Sequence, residues 1–308
     1  MKQNRPERAL SKDSSDVPTL VPRDRLFLCG QYLAPQRLVS RLAGRIASCR
    51  LPVVKNWLIS RFVRRYGVEM HEAVKQDPLA YDCFNDFFTR ELKSGARRFD
   101  DTPGGVQSPV DGTISCLGEI ADGCIIQAKG HNYGLLELLG GDAERASPYV
   151  GGQFATIYLS PSDYHRVHMP VSGRLREIIH IPGRLFSVNP LTARHVPRLF
   201  ARNERVVCTF ETEHGPLALI LVGAMIVASI ETIWTGPVTP SDSVWSSSWL
   251  ETSAHPTFIR QGQEMGLFKL GSTVIMLFGP KTIRWTNACS RSESVRVGQL
   301  LGIAAVSH

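Results

Sequence analysis

Two hydrophobic periodicities divide the chain. In the first part, Leu38, Leu42 and Ile46 recur at helical spacing, with Arg37, Arg41 and Arg45 on the adjacent face. Leu51-Pro52 interrupts the pattern, and Val54, Trp57, Leu58 and Phe62 resume it beside Lys55, Arg61, Arg64 and Arg65. This spacing predicts two short basic amphipathic helices between Leu26 and about Arg65. Further on, Phe84, Phe87 and Phe88 share a helical face, as do Phe88 and Leu92, which predicts a short helix packed into the core. After Phe99 the texture changes to short apolar runs punctuated by Gly, Pro and Asp, which predict β-strands almost to the C-terminus. The fold class expected is α+β. A disordered, charged leader over 1–24 precedes a helical region over 25–98 and a β-rich domain over 99–308.

Weak internal repetition runs through the β-rich part. Pro109-Val110-Asp111-Gly112-Thr113-Ile114 resembles Pro170-Val171-Ser172-Gly173-Arg174-Leu175, and Gly262-Gln263-Glu264-Met265-Gly266 resembles Gly298-Gln299-Leu300-Leu301-Gly302. Each pair reads as one strand–turn–strand unit used twice, so a duplicated β core is expected. The Ser-rich segment Ser241–Pro256 is read as a mobile loop whose Trp245 and Trp249 either meet a bilayer interface or pin the loop to the body.

Charge narrows the partners. A formal net charge of +7 favours an anionic partner, and nucleic acid or an anionic membrane surface both satisfy it. The basic residues concentrate on the amphipathic helices, which points to a lipid headgroup region. The longest uncharged run, Gly215 to Ile230, contains Pro216 and Gly223 and is too short to span comfortably, so membrane association is expected to be peripheral. The N-terminus is polar and charged, without the apolar core of a secretory signal. Seven cysteines, with no C-x-x-C pair, argue against a disulfide framework or a zinc knuckle and suit a reducing cytoplasm.

Candidate chemistry clusters in three places. The stretch Tyr158–Pro170 carries Asp163, Tyr164, His165, Arg166 and His168 together. His165 and His168 are read either as hydrogen-bonded structural residues or as members of a site; no further ligand follows at a familiar metal spacing. Asp111 precedes Gly112, and Asp-Gly is by default a turn signal. Gly271-Ser272 lies inside an apolar, β-branched run, where the plain reading is a bend or bulge in a buried strand. Taken together, Asp111, His168 and Ser272 hold the ingredients of an activated serine nucleophile, an arrangement whose chain order differs between unrelated folds.

Several segments resemble the phosphatidylserine decarboxylase family, and its bacterial proenzymes closely. They are FNDFFTREL, SPVDGTIS (108–115), QAKGHNYGLLELLG (127–140), YLSPSDYHRVHMPVSG (158–173), LFSVNPLTARHVPRLFARNERVV (185–207), LVGAMIVASIET (221–232) and GQEMGLFKLGSTVIMLF (262–278). They span about 200 residues in family order, and the basic N-terminal helices match its membrane-associating region. The Leu270-Gly271-Ser272-Thr273 tetrapeptide corresponds to the family's self-cleavage site.

The resemblance implies two successive reactions. In the first, Asp111 orients His168, which takes the Ser272 proton, and Ser272 Oγ attacks the Gly271 carbonyl to turn the peptide bond into an ester. β-Elimination then frees residues 1–271 as a β chain. It leaves residues 272–308 as an α chain whose first residue becomes a pyruvoyl group with loss of ammonia. In the second, the pyruvoyl ketone forms a Schiff base with the amine of phosphatidylserine, carbon dioxide leaves, and phosphatidylethanolamine is released. His168 is expected to reprotonate the product and His165 to contact the substrate carboxylate or phosphate. The resemblance further implies no metal, no nucleic acid, a complex of the chain's own β and α fragments, and a peripheral place on the cytoplasmic face of the cell (inner) membrane. Ala228 stands where the family pattern leads one to expect Gly, and Ser241–Pro256 matches the family poorly. Three rivals stand beside this reading: a decarboxylase of another serine-bearing headgroup or a related amino acid, an unprocessed lipid-surface binding module, and, more distantly, a metallohydrolase built on His165 and His168.

Overall fold

The computed structural model describes residues 21–128, 131–225, 229–238, 243–248, 257–269, 272–287 and 289–305. Ala228, Trp249 and Gly271 lie outside this set, as do residues 1–20 of the expected leader. Helix α1 (Pro22–Leu33) begins inside that expected leader, with proline in its first turn, where the missing N–H is no loss. It is followed by α2 (Gln36–Ala47) and α3 (Pro52–Tyr66), so the basic region holds three helices rather than two. Pro52 opens α3, and Gly67, at φ 63°, closes it in the left-handed conformation that glycine adopts without strain. The helix α4 (Phe84–Phe88) is shorter than the aromatic spacing suggested, and Leu92 lies beyond it in a bridge to Ala73. Its three phenylalanines are buried as expected, all within about 6 Å of the Phe62 ring of α3.

The body is built on one large sheet. In chain order its strands are β2 (Gly112–Glu119), β5 (Gln153–Leu159), β7 (Gly173–Ile181), β8 (Arg205–Thr212), β9 (Gly215–Val222), β12 (Trp245–Ser248), β13 (Phe258–Ile259), β15 (Ser272–Phe278) and β17 (Ser294–Val295). The spatial order is β12-β7-β8-β9-β15-β5-β2-β17, with β13 also on β7. Two of its strands explain the unbroken apolar runs in the sequence. Along β15, Val274, Met276 and Phe278 enter one hydrophobic core, while Ile275 and Leu277 enter a second core on the opposite face. Along β9 the split is Leu217, Leu219 and Leu221 against Ala218, Ile220 and Val222. A strand covered on both faces has no reason to alternate.

A four-stranded sheet joins the first core: β6 (Arg166–His168), β10 (Ser229–Thr232), β11 (Gly236–Val238) and β14 (Glu264–Lys269), in the order β11-β10-β14-β6. A three-stranded sheet, β1 (Gly105–Gln107) with β16 (Ile283–Trp285) and β18 (Leu300–Ala304), and the pair β3 (Cys124–Ala128) and β4 (His131–Gly134) complete the strands. Part of the Ser-rich segment is strand: β12 pairs with β7, and Trp245 stacks on the buried His180 at 6.0 Å, pinning that stretch to the body.

The duplication seen in the sequence is real in the hydrogen bonding. His168 N–H donates to the Pro109 carbonyl (2.8 Å), and Gln107 N–H donates to the Pro170 carbonyl (3.0 Å). The second repeated pair follows suit. Met169 N–H donates to Gln263 O while Gly262 N–H donates to Met169 O; Ser108 N–H donates to Gln299 O while Gly298 N–H donates to Ser108 O. Gly262 and Gly298 hold φ of 77° and 85°, and a Cβ on either would fall 2.9 Å or less from its neighbours, so glycine is required at both. Even the side chains correspond. Ser172 Oγ accepts from Gln261 N–H (3.0 Å), and Asp111 Oδ1 accepts from Val297 N–H (2.9 Å).

Candidate active site

Asp111 immediately precedes β2 and is buried. Its expected partner was His168, but no hydrogen bond joins the two among the described residues. Arg97 takes the carboxylate instead. Its Nε lies 2.9 Å from Oδ1 and 3.1 Å from Oδ2, and its Nη2 also donates to Oδ2. The physical reason is strength: a two-nitrogen guanidinium–carboxylate pair is charge-assisted at both ends, whereas a neutral imidazole offers one weaker donor. Arg97 is in turn held by Glu72 through Nη1 at 2.8 Å. Burial opposes the guanidinium charge, but Asp111 and Glu72 outweigh it and keep the Arg97 pKa above its usual value.

His168 ends β6 and faces different groups. Nδ1 lies 2.8 Å from the Gly262 carbonyl, and Nε2 lies 3.1 Å from the Tyr164 hydroxyl. A carbonyl only accepts, so Nδ1 carries the proton and Nε2 presents its lone pair to the Tyr164 O–H. Burial pulls the imidazole below its ordinary value, against the Gly262 carbonyl and Glu264, which favour the charged ring. The result is a neutral base at physiological pH. Tyr164 is also buried, which pushes its phenol pKa upward and keeps it a donor. Its ring lies 5.9 Å from the Arg97 guanidinium, so one tyrosine touches both the His168 and the Asp111 arrangements.

His165 is fully enclosed and stacks on Phe88 of α4 at 4.0 Å. Burial, and then the nearby Arg90, hold its pKa down at about 3. Among the described residues neither ring nitrogen has a hydrogen-bond partner of good geometry, although the Pro161 and Ser160 carbonyls are close enough to favour the charged ring, and Nε and Nη1 of the buried Arg90 are likewise unpartnered. Arg90 Nη2 donates to the carbonyls of Ser162 (2.9 Å) and Asp163 (3.4 Å), tying the residues after α4 to the histidine-bearing loop.

Ser272 is placed by its backbone. It is the first residue of β15 and pairs with Leu159, the last residue of β5, from which the chain runs directly into Ser160–His168. The strand before it, β14, belongs to the four-stranded sheet, and β15 belongs to the large one. The described chain thus leaves the four-stranded sheet at Lys269 and enters the large sheet at Ser272, while the bend or bulge read at Gly271 falls outside the described residues.

Arg97, Tyr164 and Gly262 hold the proposed reactive groups, yet sequence reasoning passed over Arg97 and Gly262 as site residues and took Tyr164 only as a neighbour. Arg97 carries no signal, being one arginine in a charged stretch. Gly262 had one, since it opens a repeated Gly-Gln motif. The two histidines face different groups: His168 meets Gly262 and Tyr164, and His165 stacks under Phe88. Among the described residues the group of three possible ligands is Glu69, His71 and Glu72, and Glu72 is already bound by Arg97 and Arg296.

Comparison with known proteins agrees across nearly the whole chain. The sequence profile described as Phosphatidylserine decarboxylase matches residues 84–303, and a second, described as PSD, matches 26–67. A phosphatidylserine decarboxylase proenzyme of Bordetella pertussis (strain Tohama I) is 63% identical over 284 residues, covering 92% of this chain and 96% of the relative. Proenzymes of the same description from Stutzerimonas stutzeri (58% identical, 92% and 96% covered) and Pseudomonas entomophila (55%, 92% and 99%) are similar over the same extent.

Proposed function

This chain belongs to the phosphatidylserine decarboxylase family, and we propose that it is a proenzyme that cuts itself between Gly271 and Ser272 and then converts phosphatidylserine to phosphatidylethanolamine and carbon dioxide. The observation that carries this reading is the relation to named proenzymes over 92% of the chain. The site supports it. His168 is neutral, and its Nε2 lone pair, which here accepts from Tyr164, can serve as base for the Ser272 hydroxyl once that hydrogen bond opens. The Gly262 carbonyl orients the ring, the task a carboxylate performs in other serine nucleophile sites. Asp111, paired with Arg97, places its carboxylate where it favours the charged form of His168.

In the cleavage step the Ser272 Oγ–H proton passes to His168, Oγ bonds to the Gly271 carbonyl carbon, and the Gly271–Ser272 C–N bond breaks as the nitrogen is protonated. The resulting ester loses its Cα proton and its Cβ–O bond, releasing the Gly271 carboxylate. The remaining dehydroalanine takes up water and expels ammonia, leaving the pyruvoyl group as the covalent cofactor. The structure fits such a group: Ser272 opens β15, a strand hydrogen-bonded on both sides by β5 and β9, so its end stays anchored after the cut. The pyruvoyl group supplies a carbonyl that takes electrons from the departing carboxylate.

The chain's own residues do the rest. His168 is assigned the proton returned to the product carbon. His165, whose ring nitrogens lack a well-formed hydrogen bond among the described residues, is assigned a neutral hydrogen-bonding role toward the substrate carboxylate or phosphate. No described helix is long and apolar enough to cross a membrane. The exposed apolar positions of α2 and α3 beside arginines suit peripheral binding to an anionic bilayer, on the cytoplasmic face of the inner membrane. Residues 25–98 would form that contact and 99–308 the catalytic domain.

The test is to supply purified protein with phosphatidylserine or with phosphoserine and measure carbon dioxide, beside a Ser272→Ala chain. The expected outcome is gas from the lipid, two fragments meeting at 271/272 on a denaturing gel, and neither from Ser272→Ala. A single 34.1 kDa chain in an active preparation would sink the reading.

A further inference from the structure

Tyr164 has a place in this site that its neighbours in sequence do not explain. It lies between the two halves of the duplicated core. On one side its hydroxyl meets His168 Nε2 at 3.1 Å; on the other its ring lies 5.9 Å from Arg97, which grips Asp111. Because the Gly262 carbonyl claims the proton on Nδ1 (2.8 Å), the Tyr164 O–H is the donor to Nε2. No other hydrogen-bond partner of the Tyr164 hydroxyl occurs among the described residues. Resting on the self-cleavage reading above, we propose that Tyr164 is a positioning residue for that step: its hydroxyl fixes His168 in the tautomer whose Nε2 accepts a proton, and its ring seats the Arg97–Asp111 pair beside it.

The other groups around His168 do not duplicate this role. Arg166, on the same strand, spends its guanidinium on the Thr89 carbonyl, Glu91 and Glu264. Glu264, opposite His168 on β14, is bound to Arg166. Asp111 is bound to Arg97, and Phe99 presents only a ring face, at 6.2 Å. Burial and the Arg166 charge oppose protonation of His168, while the Gly262 carbonyl, Glu264 and Asp111 favour it. A donor on the Nε2 lone pair also opposes protonation, since that hydrogen bond must be given up when the nitrogen takes a proton. Removing the donor should therefore make the ring easier to protonate.

The experiment uses the full-length Ser272→Ala chain, labelled with 15N-histidine, with and without Tyr164→Phe. The expected spectrum shows His168 neutral with the proton on Nδ1, and Tyr164→Phe raises its titration midpoint by about half to one pH unit. In chains retaining Ser272, Tyr164→Phe should move the acid limb of the self-cleavage rate upward by the same amount, with the rate recovering toward wild type above that limb. A midpoint that stays or falls, a proton on Nε2, or an equal loss of rate at every pH would overturn the proposal. Replacing all tyrosines with 3-fluorotyrosine, a stronger donor of the same shape, tests it without the risk of misfolding: the midpoint should then move down, and an unmoved midpoint counts against Tyr164. If wild-type protein never cleaves, the processing reading fails, yet the His168 midpoint still decides the role of Tyr164.

Discussion

Asp111 shows how a buried carboxylate chooses between partners. Its burial makes an unpaired charge expensive, and Arg97 satisfies both oxygens at once while the Val297 N–H adds a further bond. Arg97→Met should therefore cost about 3 kcal/mol of stability, seen as a lower denaturant midpoint, because Asp111 is left without its cation. Adding Asp111→Leu to that variant should restore much of the loss, although not self-cleavage. His165 yields a second expectation through proton linkage. Its folded pKa of about 3 lies below the ordinary 6.5, so its contribution is present above pH 6.5 and is lost as pH falls through that window toward 3. At pH 5 this amounts to about 2 kcal/mol. His165→Phe should flatten the fall in stability between pH 7 and pH 5; an unchanged slope, measured by urea unfolding, would show that His165 is not the group responsible.

At the scale of elements, α2 is the unusual one. Its apolar face points outward: Leu38, Leu42 and Ile46 are 58, 49 and 49% exposed, and Trp57 of α3 is 61% exposed. What α2 buries is Gln36 and Ser40 and, at its C-terminal end, Ala47, which joins the core beneath α3. Gln36 and Gln31 reach into the body and accept hydrogen bonds from the backbone N–H groups of Leu185 and Ser187, each at 2.8 Å. These two amides, with Leu28 and Tyr32 packed on the body, hold α1 and α2 in place and leave the face of Leu38, Leu42 and Ile46 available. Vesicles containing anionic lipid should bind the protein, and Arg41→Glu with Arg45→Glu should weaken binding by at least tenfold, at roughly 1 kcal/mol per basic residue. Leu42→Ser with Trp57→Ser should weaken it at high salt as well, where the charge contribution is screened. Equal binding of all variants in a flotation assay would remove α2 and α3 from the membrane contact.

For the whole molecule, the position of β15 matters most. Cutting the chain before Ser272 would leave β15, β16, β17 and β18 on one fragment, yet β15 is paired on both sides by strands of the other fragment, β17 pairs with β2, and β18 pairs with β1. Both faces of β15 are also buried in hydrophobic cores. The two fragments are expected to elute together from a sizing column under native conditions and to part only in denaturant. Separation without denaturant would mean that these strands do not hold the cleaved protein together.

Periodicity and local chemistry already determined a good deal. The Arg/Leu spacing of 37–46 reports a helix, Phe84, Phe87 and Phe88 report a buried face, and the repeated Pro-Val-x-Gly and Gly-Gln motifs report a duplicated core. Each of these is written in residues close together in the chain, where helix and strand geometry act directly. Tertiary structure alone decided the rest. Whether the apolar face of α2 would be covered depended on how Gln31 and Gln36 attach it to residues 185–187. Asp111 was assigned to Arg97 rather than to His168, and His168 to Gly262 and Tyr164, by competition among donors brought together from distant segments. The strongest geometry takes the partner in such a competition, and spacing along the chain carries no record of the contest.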